Sequence, residues 1–358
     1  MTKHTPTYTG ETIGVDLGDR YTHVCVLDAT GEIVERTQVA TRIEALRQWF
    51  ARRPASRVAL EVGTHSPWAS RVITDCGHRT LVANPRKVRL VYATDSKSDR
   101  VDAECLARLA RVDPKLLSPV HHRSPEVQAD LAILRTRDVL VRTRSLLINH
   151  VRGTVKPFGG RIRSCEASSF AKKAVEDIPE VLRAVLDPVL RSIRDCTDRI
   201  REFDHHVEAM CTRYPVSECL MQIAGVGPIT TMTYILTIED PRRFRRSRAV
   251  GSYLGLRPRR DQSGSRDPQL RITKAGDGML RRLLVQSAHY VLGPFGPDSD
   301  LRRKGMALAA RGGKAAKKRA VVAIARRLAV LLHRLWLTGE VYEPLYLANR
   351  MEATLTQS

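Results

Sequence analysis

The chain contains no Cys-x-x-Cys pair; its seven cysteines, Cys25, Cys76, Cys105, Cys165, Cys196, Cys211 and Cys219, are odd in number and scattered. That spacing suggests neither a zinc site nor the disulfide framework of a small secreted domain. No stretch approaches the roughly eighteen uninterrupted apolar residues of a membrane-spanning helix, and the polar start, Met1 to Gly10, lacks a signal-peptide apolar region. A reduced, cytoplasmic protein with no membrane partner is expected. Acid is also scarce: 38 Asp and Glu stand against 60 Lys and Arg, for a formal charge of +22 and a pI near 10.3. The deficit is local, because residues 1–104 carry 15 basic and 13 acidic side chains, whereas residues 241–320 carry 21 and 5. An evenly basic composition would not give this asymmetry, and a polyanion bound through the second half would. Arginine dominates the basic segment, as suits bidentate contact with phosphate.

At 358 residues the chain is long enough for two or three domains, each with its own core. Residues 11 to 39 alternate in strand fashion, with a turn at Ala29-Thr30-Gly31, and read as a three-stranded meander. Thr41 is placed to cap a helix through Ile43, Leu46, Trp49 and Phe50, and Arg57 to Gly63 reads as a buried strand. A helix over 67–76, a strand over 80–84 and a helix from Ser98 to about Ala110 follow. Three strands and then alternating helix and strand is the order of a ribonuclease-H-like α/β domain. Beyond it, Ser124-Pro125-Glu126 is a strong helix start, with serine as cap and proline at the first position. That helix is expected to run to Val151 and to break at Gly153 and Pro157 to Gly160. Val189, Ile193, Cys196, Ile200, Phe203, Val207 and Met210 then recur at spacings of four and three, the seam of a coiled coil. The stripe suits either a self-association arm or a hairpin with the preceding helix, and the charge flanking so narrow a seam favours the former.

From Leu220 the chain changes character. Ile223-Ala-Gly-Val-Gly-Pro228 ahead of an apolar helix resembles the turn of a helix-hairpin-helix module, whose glycines let backbone N–H groups approach phosphates. Arg242, Arg243, Arg245 and Arg246 follow at once, and Arg259, Arg260 and Lys274 continue the basic tract, all candidate nucleic-acid contacts. The stretch from Arg302 to Arg334 is basic and amphipathic, as consistent with a packed surface helix as with nucleic-acid contact.

Four carboxylates in the first part carry the chemistry. Asp16 ends the apolar run Ile13-Gly14-Val15, and Glu61 ends Val58-Ala59-Leu60; a carboxylate there is costly to bury without a cation or partner. Asp99 and Asp102 stand three apart, on one face of a helix. Together the four could hold two magnesium ions about 3.5 to 4 Å apart, activating an attacking oxygen and stabilising a leaving one. Ser263, beside Gly264 and Ser265, sits among small residues that permit close approach to a backbone; the residues alone suit a flexible polar loop as well, and Ser265 is the chief competitor. As a nucleophile Ser263 needs activation, which metal or the nearby Arg259 and Arg260 could supply.

Gly14-Val-Asp16, Leu60-Glu61-Val-Gly63, Lys97-Ser-Asp99-Arg-Val-Asp102-Ala103, Ala224-Gly-Val-Gly227, and Gly255 to Gly264 followed by Arg271-Ile-Thr-Lys-Ala-Gly276 resemble the DEDD-type transposases of the insertion-sequence-110 family. The resemblance spans nearly the whole chain, and relatives of that family include site-specific DNA invertases. It implies a RuvC-like domain over 1–115, a helical coiled-coil connector over 116–215, a mainly α-helical transposase domain over 216–345 and a tail over 346–358. It further implies Asp16, Glu61, Asp99 and Asp102 as ligands of Mg2+ or another divalent metal, and Ser263 as a nucleophile that forms a covalent phosphoserine link to DNA. In the family the serine comes from another protomer, so a homo-oligomer, dimer or tetramer, is implied. So is a noncoding bridge RNA that pairs with target and donor DNA. A RuvC-like junction nuclease would need the acids and water but not the serine.

Overall fold

The computed structural model describes residues 10–86, 99–264, 266, 268, 270–347 and 349–350, with backbone alone at Asp99, Arg100 and Lys314. Lys97, Ser98 and Ser265, named above, lie outside the described residues. The chain divides into two compact units, Met1–Arg123 and Ser124–Ser358.

The first unit is a mixed sheet covered on both faces. Strands β1 (Thr12–Leu17), β2 (Tyr21–Leu27) and β3 (Ile33–Ala40) form an antiparallel meander, and β4 (Arg57–Glu61) and β5 (Arg79–Ala83) add in parallel on the other side of β1. The resulting order is β3-β2-β1-β4-β5. Asp28 closes the β2–β3 turn, its carboxylate accepting the backbone N–H groups of Thr30, Gly31 and Glu32. The expected cap of α1 (Ile43–Phe50) is one residue off: Arg42 holds the cap position without a side-chain bond, and Thr41 instead pairs its hydroxyl with that of Thr22 at 2.9 Å.

Alternation sorts the strands into two faces. Ile13, Val15, Val24, Val26, Val58 and Leu60 pack with Leu46 and Phe50 of α1 and Ala69 and Ile73 of α2 (Ser66–Asp75). The opposite face bears the small Gly14 and Ala59 and lies under α3 (Asp99–Val112), whose Ala103, Leu106, Ala107 and Ala110 fill the gap. Gly14 is needed there because a β-carbon would overlap the carbonyl oxygen of Ala103. The direction of α3 is set by two arginines at its far end. Buried Arg57, opening β4, donates to the carbonyl of Ala110 at 2.9 Å, and Arg111 donates to the carbonyls of Asp28 and Ala29. The helix therefore runs antiparallel to β1 and β4, and it begins over their carboxyl ends.

The second unit is helical. Ser124 caps α4 (Pro125–Val155), accepting from Val127 N–H at 3.2 Å. The helix passes through Gly153 instead of breaking there, since a helical glycine in open space costs only about 1 kcal/mol. It ends in the turn Lys156–Phe158 with Gly159 left-handed. Its partner α5 (Glu180–Thr212) begins well before the expected stripe and carries Pro188 inside it. Pairs at Asp130–Arg213, Arg137–Asp204 and Arg144–Thr197 fix an antiparallel hairpin. Asp130 is buried and also accepts the Tyr214 hydroxyl at 2.8 Å, which together with burial pushes that phenol up to about 12.

This pairing corrects the self-association reading of the stripe. Ile193, Ile200, Val207 and Met210 are already buried within the chain, so the heptad spacing reports the hairpin. On α4, Val139 and Leu146, seven residues apart, are left 50% and 68% exposed.

The remaining helices enclose α7 (Pro228–Ile238), every residue of which from Thr230 onward is buried, its threonines as well as Met232, Tyr234, Ile235, Leu236 and Ile238. It follows α6 (Val216–Met221), and Tyr234 at its centre donates to the Ala329 carbonyl at 2.7 Å. Then come α8 (Arg248–Tyr253), α9 (Gly278–Leu292), α10 (Asp300–Ala309) and α11 (Gly313–Thr338). The basic-amphipathic stretch over 302–334 is thus two helices, parted at Arg311-Gly312.

Gly14→Ala is expected to destabilise the first unit by about 2 kcal/mol or more, because the clash is with backbone that no rotamer change relieves. Thermal unfolding of the purified variant checks this; a melting temperature equal to that of the parent would contradict the close approach.

Candidate active site

The register β1 to β4 pairs Val15 with Leu60, so Asp16 and Glu61, one residue on, stand side by side at the carboxyl ends of adjacent parallel strands. Both are half-buried and both engage neighbours. They face the α3 side of the sheet, since they alternate with Val15 and Leu60 of the opposite face. Because α3 runs antiparallel to these strands, its first turn, with Asp99 and half-buried Asp102, comes to the same end of the sheet. The Asp99 side chain lies outside the described residues. Among the described residues, no three His, Cys, Asp or Glu side chains close into a metal-binding group. The donor chemistry nonetheless fits a hard divalent cation: two carboxylates at neighbouring strand ends are the oxygen ligands that magnesium or manganese takes.

Other groups at this rim escaped the sequence reading. His23, on β2, is the register partner of Asp16 and lies within 3.4 Å of the Gln38 amide. Just beyond the strand ends, the Trp68 indole N–H donates to His65 Nδ1 at 3.2 Å, leaving Nε2 to donate to Asp19 at 3.0 Å. A register derived from the meander would have pointed to His23. The His65–Asp19 pair joins residues 46 apart and carries no local signal.

Ser263 belongs to the second unit and stands at the tip of a hairpin. Its base is a ladder in which Arg259 N–H donates to the Arg271 carbonyl, Thr273 N–H to Arg257 and Lys274 N–H to Gly255, at 2.9 to 3.1 Å. At the tip, Ser263 and Arg266 exchange backbone hydrogen bonds of 3.1 and 3.0 Å across Gly264, whose φ of +56° belongs to the hairpin turns glycine favours. Ser263 is exposed, and its hydroxyl has no hydrogen-bonded base among the described residues. The structure brings the strand-end acids together within one unit and holds the serine in the other.

The basic candidates are also in the second unit. Arg242, Arg243, Arg245 and Arg246 are exposed around the turn Pro241–Arg243, with Arg243 stacked near the rings of Phe244 and Tyr253. Arg259, Arg260 and Lys274 are exposed along the serine hairpin. The glycine turn before α7 is tightly backed, since a β-carbon at Gly225 would meet the Tyr290 ring.

Comparison with known proteins matches two family profiles. Residues 13–158 match one described as Transposase, and residues 217–300 match one described as Transposase IS116/IS110/IS902 family. The chain is 27% identical over 348 residues to the transposase for insertion sequence element IS1111A of Coxiella burnetii, covering 92% of this chain and 90% of that one. It is 28% identical to the transposase for insertion sequence element IS1328 of Yersinia enterocolitica, covering 78% and 83%. It is also 26% identical to a pilin gene-inverting protein of Moraxella lacunata, covering 70% of each. No described helix is long and apolar enough to cross a membrane.

Gly264→Val forces a β-branched residue into a left-handed turn, at a cost of roughly 1–3 kcal/mol borne by the hairpin. Trypsin is expected to cut faster within 257–266, while the global melting temperature stays nearly unchanged. Unaltered cleavage there would mean that the turn does not depend on glycine.

Proposed function

Because the chain belongs to the IS110 family of transposases, we propose that it cuts and rejoins DNA with a divalent-metal carboxylate site and a serine nucleophile. The observation that carries the reading is the placement of Asp16 and Glu61 side by side at the ends of β1 and β4, under the start of α3. The strand order, three antiparallel strands with two parallel additions, supports a ribonuclease-H-like, RuvC-like domain for the first unit.

In this reading Asp16, Glu61, Asp99 and Asp102 hold the metal. Bound there, Mg2+ would neutralise charge developing on the phosphate and lower the cost of deprotonating an attacking oxygen. Ser263 Oγ attacks the scissile phosphorus; one bridging oxygen departs with a proton, and the DNA stays attached through a phosphoserine ester. A DNA hydroxyl then attacks that phosphorus, restoring a diester and freeing the serine. The exposed hairpin tip suits the first step because a polymer backbone must reach the hydroxyl. Among the described residues no base is bonded to it, which suits activation by a site it does not itself contain.

A homo-oligomer, dimer or tetramer, that joins one protomer's acids to another's serine would meet that need. The exposed, heptad-spaced Val139 and Leu146 offer one seam for it. Arg242, Arg243, Arg245, Arg246, Arg259, Arg260 and Lys274 would grip DNA, or a noncoding bridge RNA that supplies sequence choice by base pairing. Site-specific inversion is the second reading, favoured by the similarity to the pilin gene-inverting protein.

A covalent DNA–protein adduct on denaturing gels is expected with the parent protein and not with Ser263→Ala. Removal of metal by EDTA, or Asp16→Ala, Glu61→Ala, Asp99→Ala or Asp102→Ala, should abolish cleavage with folding and DNA binding retained. Undiminished activity in EDTA would rule out the metal mechanism. Mixing inactive Asp16→Ala with inactive Ser263→Ala should restore some cleavage; mixtures shown to exchange subunits yet still inactive would leave only a site contained within one chain.

A further inference from the structure

Along α11 the second unit opens into a groove of about 1780 Å3, walled by α8, α10, the base of the serine hairpin and the segment 340–347. Eleven arginines and lysines line it against three acids, Asp300, Glu340 and Glu343. The acids gather where the 340–347 segment crosses: Glu340 is paired with Arg334 at 2.9 Å, and Asp300 accepts the Leu347 N–H at 2.7 Å. Arg303 is paired with Asp298 at 2.7 Å. Arg248, Arg271, Lys304, Lys318, Arg319 and Arg327 are exposed and have no ion-pair partner among the described residues.

The floor is of another kind. Leu256, Leu270, Ile272, Leu308, Val322 and Val330, buried or half-buried, supply an apolar strip beneath the exposed cations. A duplex hides its bases and offers only phosphates, sugars and groove edges, so it would leave such a strip bare. A single strand puts phosphates on the edges and base faces on the floor. The lining follows α11 from Ala316 to Leu335, about 28 Å along the helix axis, room for roughly four or more nucleotides.

We propose that this groove holds a single DNA strand and leads it toward Ser263. The hairpin whose tip carries the serine contributes Leu256, Pro258, Leu270, Arg271, Ile272 and Lys274 to the wall, so a strand lying there passes the base of that hairpin. The inference rests on the proposed strand-joining reaction for its purpose and for the choice of DNA, and on the lining for a single strand.

The test is fluorescence anisotropy with labelled fifteen-nucleotide oligothymidine, oligouridine RNA of equal length and a duplex of equal length. The full chain is used in the Ser263→Ala background with EDTA, so that binding is read without chemistry. The triple variant Lys304→Gln, Lys318→Gln, Arg319→Gln is expected to bind oligothymidine about tenfold more weakly or worse. Its logarithmic salt dependence should be shallower by about two, at roughly 0.7 per lost phosphate contact. Duplex affinity should change by less than about twofold. Leu308→Asn, checked by circular dichroism for an intact fold, should weaken oligothymidine selectively. Equal loss of duplex and single strand, RNA bound more tightly than DNA, or displacement by fifteen-residue polyglutamate as efficient as by oligothymidine would each overturn the proposal. Single-strand binding without a serine adduct in the parent would instead refute the reaction and leave the groove standing.

Discussion

The first unit depends on one contact between two backbones, where Gly14 in β1 meets Ala103 in α3. No side chain separates them, so the helix lies closer to the sheet than leucine or valine would allow. The small residues around the contact, Ala59, Ala103, Ala107 and Ala110, have the same consequence. Close approach alone would let α3 slide along β1. Arg57 and Arg111 prevent it by taking the carbonyls of Ala110, Asp28 and Ala29 at the end away from the acids. Two guanidiniums at one end and a glycine in the middle thereby decide where the first turn of α3 falls. That placement is what gives Asp99 and Asp102 any relation to Asp16 and Glu61.

The two units divide charge as well as fold. The first carries the smaller excess, 19 basic against 14 acidic side chains, and pairs much of it, as in the Arg36–Glu104–Arg108 cluster, which holds the Glu104 carboxyl below its ordinary range. In the second, the α4–α5 hairpin also pairs its charges, through Asp130, Asp138 and Asp204. The cations left without acids concentrate on α8, α10, α11 and the serine hairpin. Repulsion among them is tolerated because they ring an apolar core built on α7, whose burial does not depend on the surface charge. A surface kept this positive at a cost in self-repulsion is what binding a polyanion requires.

Much of the first unit was legible in the sequence because its signals are local. Strand alternation in residues 11–39, the Asp28 turn and the apolar runs ending at Asp16 and Glu61 each lie within a few residues. The Ser124 cap was equally plain. The stripe from Val189 to Met210 was legible as a helix but not as to its partner, because spacing records that a face is buried and not what covers it. Arg137 and Arg144, which settle the matter, look like ordinary surface arginines until Asp204 and Thr197 are seen opposite them. The serine hairpin was unreadable for another reason. Residues 255–274 hold their ladder through backbone bonds between arginine-rich segments, with no apolar alternation to announce strands.

The groove illustrates the limit from the other side. The stretch from Arg302 to Arg334, which supplies most of its cations, is alone balanced between a solvated basic face and a nucleic-acid contact. Composition cannot decide between those readings, since both expose arginine and lysine. What separates them is whether the cations of different segments converge over one apolar floor. Arg271 and Lys304 are 33 residues apart in sequence and belong to different elements, yet both line the same cavity with Arg319 and Arg327. A merely solvated surface gains nothing from such convergence and is disfavoured by it, because like charges brought together raise the energy of the folded chain. Cations gathered around a hollow, where ordinary stability would disperse them, mark a place shaped for a ligand of opposite sign.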